Sequence, residues 1–109
     1  MVVTGTGTFM VRAVVADPAD RPDFDAWYQD EHLPDAVAKF SALRAWRCWS
    51  ATDPSVHFAF YEFADVAAAS AIQDSAALKG LVADFDARWG DRVTRSRDVL
   101  NCVGTLQAT

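Results

Sequence analysis

The order of strand-like and helix-like segments constrains the fold of this chain more than any other feature of its 109 residues. Apolar, β-branched and aromatic residues favour strands at positions 8–16, 42–51, 56–63 and 93–106. Apolar residues at helical spacing and an alanine-rich run favour helices from about 21 to 40 and from about 66 to 89. The predicted order of elements is therefore β-α-β-β-α-β.

The predicted helix boundaries depend on residues that cap or break a helix. Asp20 is a predicted N-cap with a proline in the first turn, and Asp65 and Ser75 are predicted to begin the two pieces of the second helical segment. Pro34 lacks an amide N–H, so a kink or a restart of the helix is expected there. Gly90 is expected to end the second helical segment.

This order of elements predicts an α+β protein of the ferredoxin-like class, formed by one domain over residues 1–109. The fold has a four-stranded antiparallel sheet with both helices on one face. The other face would carry large apolar side chains from positions 42–63. An uncovered apolar face of this kind usually contacts another subunit, so a homodimer is expected.

Charge and composition exclude several classes of function. A net charge of −5 and a pI near 4.7 disfavour nucleic acids and anionic membranes as partners. No run approaches the roughly 20 apolar residues that span a bilayer, and positions 1–16 lack the features of a signal peptide, so a cytoplasmic location is expected. The two cysteines lack metal-motif spacing and no glycine-rich phosphate loop is present, which predicts a protein without a metal or nucleotide cofactor.

The first helical segment carries the most informative polar residues. At about 100° per residue, Phe24, Trp27 and Tyr28 form one apolar stripe. Glu31 falls near the middle of this stripe and His32 at its edge, so both are predicted to point toward the sheet. Because burial of a lone charge is costly, the pattern indicates either a functional site or a structural role in which the imidazole caps a strand carbonyl. The carboxylate is expected to have an arginine partner, from among Arg12, Arg44 and Arg47.

The same segment carries a recognisable motif. Phe24, Trp27, Tyr28, His32 and Pro34 form F-x-x-W-Y-x-x-x-H-x-P, which resembles the first-helix signature of EthD-like proteins in the dimeric α+β barrel superfamily. The sequence A-D-F-D-A-R-W at 83–89 is similar to the second helix of that family. The order of elements agrees with the family over nearly the whole chain.

The resemblance implies a homodimer whose two sheets face each other as a barrel, with a pocket between the sheet and the helices of each subunit. Related proteins include small cyclases, isomerases, decarboxylase-like enzymes and cofactor-free oxygenases that act on aromatic or polyketide-like molecules. The resemblance gives His32, supported by Tyr28, a place in the site.

Other polar candidates lie on predicted strands. His57 and Tyr61 are four residues apart, so they share a face of the third strand, where they can orient a carbonyl or relay a proton. The alternative is that His57 begins the strand in solvent. Arg47 and its neighbour at position 44 lie on opposite faces of the second strand, so at most one of them faces a given pocket. Arg95 and Arg97 share a face of the last strand and are expected at a dimer surface or in solvent.

The favoured hypothesis is a small-molecule enzyme that acts on an apolar or aromatic metabolite, either by proton transfer, as an isomerase, cyclase or dehydratase does, or by cofactor-free oxygenation. The expected catalytic residues are His32, Tyr28 and Glu31. The expected substrate-binding residues are Phe24, Trp27, Arg47, His57, Tyr61 and Trp89, with Phe58 and Phe60 as further aromatic walls.

Two alternatives remain at this point. The same pocket can serve a non-catalytic module that binds an apolar metabolite. A haem-binding protein of the same superfamily is the other alternative, and it would need a histidine such as His32 on the iron with a tryptophan such as Trp89 nearby.

Overall fold

The computed structural model describes residues 5–108. Four strands form one antiparallel sheet, and they are β1 (Gly7–Val15), β2 (Arg44–Trp49), β3 (Val56–Phe63) and β4 (Val93–Asn101). The spatial order is β2-β3-β1-β4. The predicted ferredoxin-like α+β fold is therefore confirmed. The last strand is shorter than predicted, because residues 102–108 continue without regular structure.

The two predicted helical segments are each interrupted. The first consists of α1 (Arg21–Trp27), a π-helical turn (Tyr28–His32) and α2 (Leu33–Phe40). The second consists of α3 (Val66–Ala71) and α4 (Ala76–Trp89), and short 3-10 turns precede α1, join α3 to α4 and follow α4. Among residues 5–108 no helix is long and apolar enough to cross a bilayer.

The predicted caps form side-chain hydrogen bonds in the second segment but not in the first. The Asp65 carboxylate accepts the backbone N–H of Ala68 at 2.8 Å, and the Ser75 hydroxyl accepts that of Leu78 at 3.1 Å. Asp20 makes no capping hydrogen bond, and its carboxylate instead pairs with the guanidinium of Arg92 at 2.9 Å. Asp20 therefore occupies the predicted N-cap position, with Pro22 in the first turn, but its carboxylate is used in a long-range ion pair instead of a capping bond.

The interruption near Pro34 is a widened turn rather than a break. The Leu33 N–H donates to the Tyr28 carbonyl five residues earlier, which defines the π turn. Pro34 has no N–H for the carbonyl four residues before it, and its ring would clash with that carbonyl in a regular α-helix. The wider turn relieves this conflict, and α2 continues to Phe40.

The π turn changes which of two neighbouring side chains, Glu31 or His32, faces the buried stripe of the helix. Each residue of a π turn advances the side-chain direction by less than in an α-helix, so His32 moves toward the buried stripe and Glu31 moves away from it. Glu31 is exposed and makes no ion pair with residues 5–108. The expected arginine partner for Glu31 was therefore wrong, because the prediction assumed one α-helical period throughout.

The two faces of the sheet differ in cover. The helices pack on the face that carries Phe9, Ala59 and Tyr61, all of which are buried. Within residues 5–108 no helix covers the opposite face. This face carries a group of large apolar side chains among polar and charged ones, and the group consists of Met10, Trp46, Phe58, Phe60 and Leu100. The Trp46 and Phe60 rings stack at 5.2 Å. Phe58 and Phe60 were expected in a pocket with the helices, and the strand alternation places them on the opposite face.

We predict that this open face mediates a homodimer, because a group of large apolar side chains on one sheet face is rarely left in water. Light scattering should give twice the 11.9 kDa chain mass, and Phe60→Glu should reduce the mass to that of one chain. Ala67→Glu, on the exposed side of α3, adds the same charge and should leave the dimer intact. A wild-type mass of one chain would contradict the prediction.

Candidate functional site

A small cavity lies between the helix-covered face of the sheet and the helices α2 and α4. Its lining is mostly apolar and aromatic and includes five polar side chains of three types, tyrosine, histidine and arginine. It consists of Phe9, Val11, Tyr28, His32, Ala36, Phe40, Tyr61, Leu78, Leu81, Val82, Phe85, Arg95 and Arg97. About 20 Å³ is open to the centre of a water-sized molecule. A single water needs about 10–15 Å³ by this measure, so this conformation holds about one water and no larger guest.

Tyr28 and Tyr61 form a buried pair of phenols at the cavity. Their hydroxyl oxygens are 3.2 Å apart, which is a hydrogen bond between the π turn and β3. Burial raises the pKa of Tyr28 to about 12 and raises that of Tyr61 well above its usual range, so both phenols are protonated at neutral pH. One hydroxyl donates to the other, which leaves one O–H for a guest in the cavity.

His32 forms part of the same wall and has no hydrogen bond to residues 5–108. Its ring stacks on Trp27 with centroids 4.6 Å apart and meets the edge of Tyr28 at 4.9 Å. Burial, together with the smaller effect of the positive charge of Arg95, lowers the pKa of His32 to about 4. The imidazole is therefore neutral at physiological pH and keeps a free basic nitrogen.

His32 also lines a broad groove on the outside of the helices. This groove is about 610 Å³ and is lined by Trp27, Glu31, His32, Pro34, Asp35, Ala38 and Asp84. One imidazole thus lies between a partly open, mostly apolar cavity and an open, acidic groove.

His57 lies on the same sheet face as Tyr61, as predicted, but its surroundings differ. Arg47 donates from Nε to the Nε2 atom of His57 at 3.1 Å, and the same guanidinium pairs with the Asp25 carboxylate. The Trp49 indole N–H also donates to Asp25, at 2.7 Å. His57 is buried among aromatic rings and does not line the cavity.

The pKa of His57 is about 3, chiefly because of burial, with a further lowering by the Arg47 charge. Its Nε2 atom accepts the arginine N–H, so this nitrogen is not free to act as a base in the folded protein. Arg47 faces the helices and Arg44 faces the open side of the sheet, where it pairs with Glu62. The expectation that at most one of the two arginines faces a pocket agrees with this placement.

Three predicted aromatic residues lie around the cavity rather than in its wall. Phe24 is fully buried and contacts Trp27 and Trp89 at ring distances of 6.3 and 5.3 Å. Trp89 is buried, and the guanidinium groups of Arg88 and Arg92 lie over its ring. His32 lines the cavity and Trp89 does not, so the structure does not place the two side chains of the haem alternative in one cavity wall.

Arg95 and Arg97 were expected at a dimer surface or in solvent, and their placement differs. Both point to the helix-covered face of β4, opposite Ala13 and Val11, and both line the cavity. The Arg95 side chain is 14% exposed, so the expectation was wrong for it, whereas Arg97 is exposed at the mouth. The strand period showed that the two share a face, but only the packing of α4 shows which face it is.

Among residues 5–108 no three His, Cys, Asp or Glu side chains cluster as metal ligands would.

Comparisons with known proteins bear on the fold. No family model matches the chain, and no curated protein matches it. Several solved structures do match the chain. HapK from Hahella chejuensis superposes with a TM-score of 0.66 at 18% identity, over 94% of this chain and 98% of that chain. SnoaB, a cofactor-independent oxygenase from Streptomyces nogalater, gives 0.57 at 14% identity over 96% of both chains.

An EthD family protein from Bacillus halodurans C-125 gives a TM-score of 0.60 at 14% identity, over 84% of this chain and 96% of that chain. The chain therefore shares the ferredoxin-like α+β fold of these structures, and the resemblance drawn from the first-helix motif is confirmed at the level of the fold.

The buried neutral His57 predicts a loss of stability in acid. Its folded pKa of about 3 lies below the unfolded value of 6.5, so the unfolded state binds the extra proton as pH falls through 6.5. This contribution is complete above pH 6.5 and is lost toward pH 3, at about 1.4 kcal/mol per pH unit. Urea unfolding at pH 7.5 and 5 should show the loss, and His57→Gln, which still accepts from Arg47, should show less of it. Equal losses in both proteins would contradict the assignment.

Proposed function

We propose that the chain is a small-molecule enzyme that works without a metal or nucleotide cofactor and transfers a proton on an apolar or aromatic substrate in the cavity. The observation that carries this proposal is the placement of a neutral imidazole and a buried phenol pair in the wall of one mostly apolar cavity. The structural likeness to SnoaB, named as a cofactor-independent oxygenase, supports it.

His32 is the base in this proposal. A neutral imidazole with a free nitrogen can take a proton from a carbon next to a carbonyl group. Its low pKa makes it a weak base in the empty protein, but the developing negative charge of the substrate would raise the proton affinity of the imidazole. Return of the proton to another carbon completes an isomerisation, in which no atom or electron is gained or lost.

Tyr28 and Tyr61 stabilise the charge that this step creates. The free O–H of the pair donates to the carbonyl oxygen as it becomes an enolate, and the hydrogen bond between the phenols holds the donor in place. The Tyr28 ring also packs edge-on against the His32 ring, with centroids 4.9 Å apart, so the hydrogen-bond donor and the base are held next to each other. The same deprotonation can begin an oxygenation in which the substrate itself activates oxygen.

Glu31 was predicted to be a catalytic residue, and it has a smaller part in this proposal. It lines the outer groove beside His32 and is exposed, so the proton transfer rests on His32 and Tyr28. Trp27 stacks on the imidazole of His32. The other predicted binding residues pack behind the residues that line the cavity, and they are Phe24, Arg47, His57 and Trp89.

Substrate entry requires the cavity to widen, because it now holds about one water. Movement of His32 off Trp27 opens it to the groove, and movement of the exposed Arg97 opens it along β4. A binding module without catalysis would use the same opening, so binding alone does not separate the two functions.

Proton transfer can be tested before the natural substrate is known. β-Tetralone, a bicyclic ketone with an acidic C–H, should exchange this hydrogen in deuterium oxide faster with the protein than without it, as followed by proton NMR. His32→Ala should lower the protein-dependent rate by roughly 10²–10⁴. His57→Gln, which replaces the histidine outside the cavity, is the matched control and should keep most of the rate.

Stability measurements separate a catalytic role of His32 from a structural one. The imidazole has no hydrogen bond to lose, so His32→Ala should cost less than about 1.5 kcal/mol and leave the fold intact. A larger loss of stability, or exchange that is unchanged in His32→Ala, would contradict the proposed role.

A further inference from the structure

Two arginines at one edge of the cavity carry more positive charge than the neighbouring carboxylate balances. Arg95 and Arg97 are two residues apart on β4, so both project to the helix-covered face. The Arg95 guanidinium lies over the Phe85 ring at 3.9 Å and donates from Nη2 to the Asp86 carboxylate at 2.5 Å. Arg97 makes no ion pair with any residue from 5 to 108.

The charge count at this edge favours an anion. Two guanidinium groups meet one carboxylate, and that carboxylate is 55% exposed. Burial and the neighbouring Arg97 charge lower the pKa of Arg95, whereas Asp86 raises it. This local excess of positive charge stands in a chain whose net charge is −5.

The arginines also lie close to the proposed chemistry. The positive charges of Arg95 and Arg97 both lower the pKa of the Tyr28 phenol against the effect of its burial. All three side chains line one cavity with His32. A group held by the arginines therefore shares one cavity with the phenol pair.

We propose that the substrate carries a carboxylate, which Arg97 and Arg95 bind at the β4 edge while the apolar body enters the cavity toward Tyr28 and His32. This inference rests on the proposed function and names its substrate class. A guanidinium presents paired N–H donors that match the two oxygens of a carboxylate. The apolar walls from Phe9, Phe40 and Leu78 suit an aromatic body.

The same charges indicate the side from which such a substrate enters. The outer groove next to His32 is lined by Glu31, Asp35 and Asp84, and within residues 5–108 Lys39 alone pairs with the two aspartates. An anion is repelled there and attracted at the β4 edge. Arg97 is therefore the specificity-determining residue in this proposal.

A matched pair of probes tests the substrate class. α-Naphthoate and α-naphthamide share their rings and differ in charge, and calorimetry with tryptophan fluorescence gives both affinities. The wild-type protein should bind the naphthoate at least about fivefold more tightly. Arg97→Gln should abolish this preference, whereas Lys79→Gln, on the exposed side of α4, removes the same charge and should keep it.

The outcomes separate this inference from the proposed function. Equal affinity for the two probes, or a preference that persists in Arg97→Gln, would overturn carboxylate recognition and leave proton transfer in the cavity standing. Binding of neither probe would overturn both. Because Arg97 is exposed and unpaired among residues 5–108, Arg97→Gln should fold, and Arg97→Lys should restore part of the preference through its charge alone.

Discussion

The missing amide hydrogen of Pro34 is the constraint on which the rest of the site depends. A regular α-helix through this position would lose one hydrogen bond and force the proline ring against a carbonyl. The chain instead forms a π turn from Tyr28 to His32, which is closed by the hydrogen bond from the Leu33 N–H to the Tyr28 carbonyl. That wider turn places the imidazole beside the phenol pair and releases Glu31 to solvent. Such insertions into helices occur often at functional sites.

The two histidines show how one side-chain type can serve two purposes. Both have strongly lowered pKa values because both are buried. His57 accepts a hydrogen bond from Arg47 and lies in a network that ties α1 to β2 and β3. His32 has no such partner within residues 5–108 and lines a cavity. Burial alone therefore does not identify a reactive base, and the availability of its nitrogen does.

Local sequence patterns predict much of this fold, because the strand segments and the caps at Asp65 and Ser75 depend on nearby residues. The site was less predictable. The π turn changes the helical period, and no pattern of spacing shows where a period changes. The face that Arg95 occupies depends on how β4 pairs with β1 and where α4 packs, which are long-range contacts. The bond between Arg47 and His57 likewise depends on the register of β2 with β3.

The proposed chemistry requires His32 to be neutral in the wall of an apolar cavity. Proton NMR of the two imidazole rings, assigned with His57→Gln, measures the protonation of His32 directly as pH is lowered. His32 is expected to remain neutral through the normal range of histidine and to titrate near 4. An ordinary titration near 6.5 would place the imidazole in water and contradict the proposed chemistry.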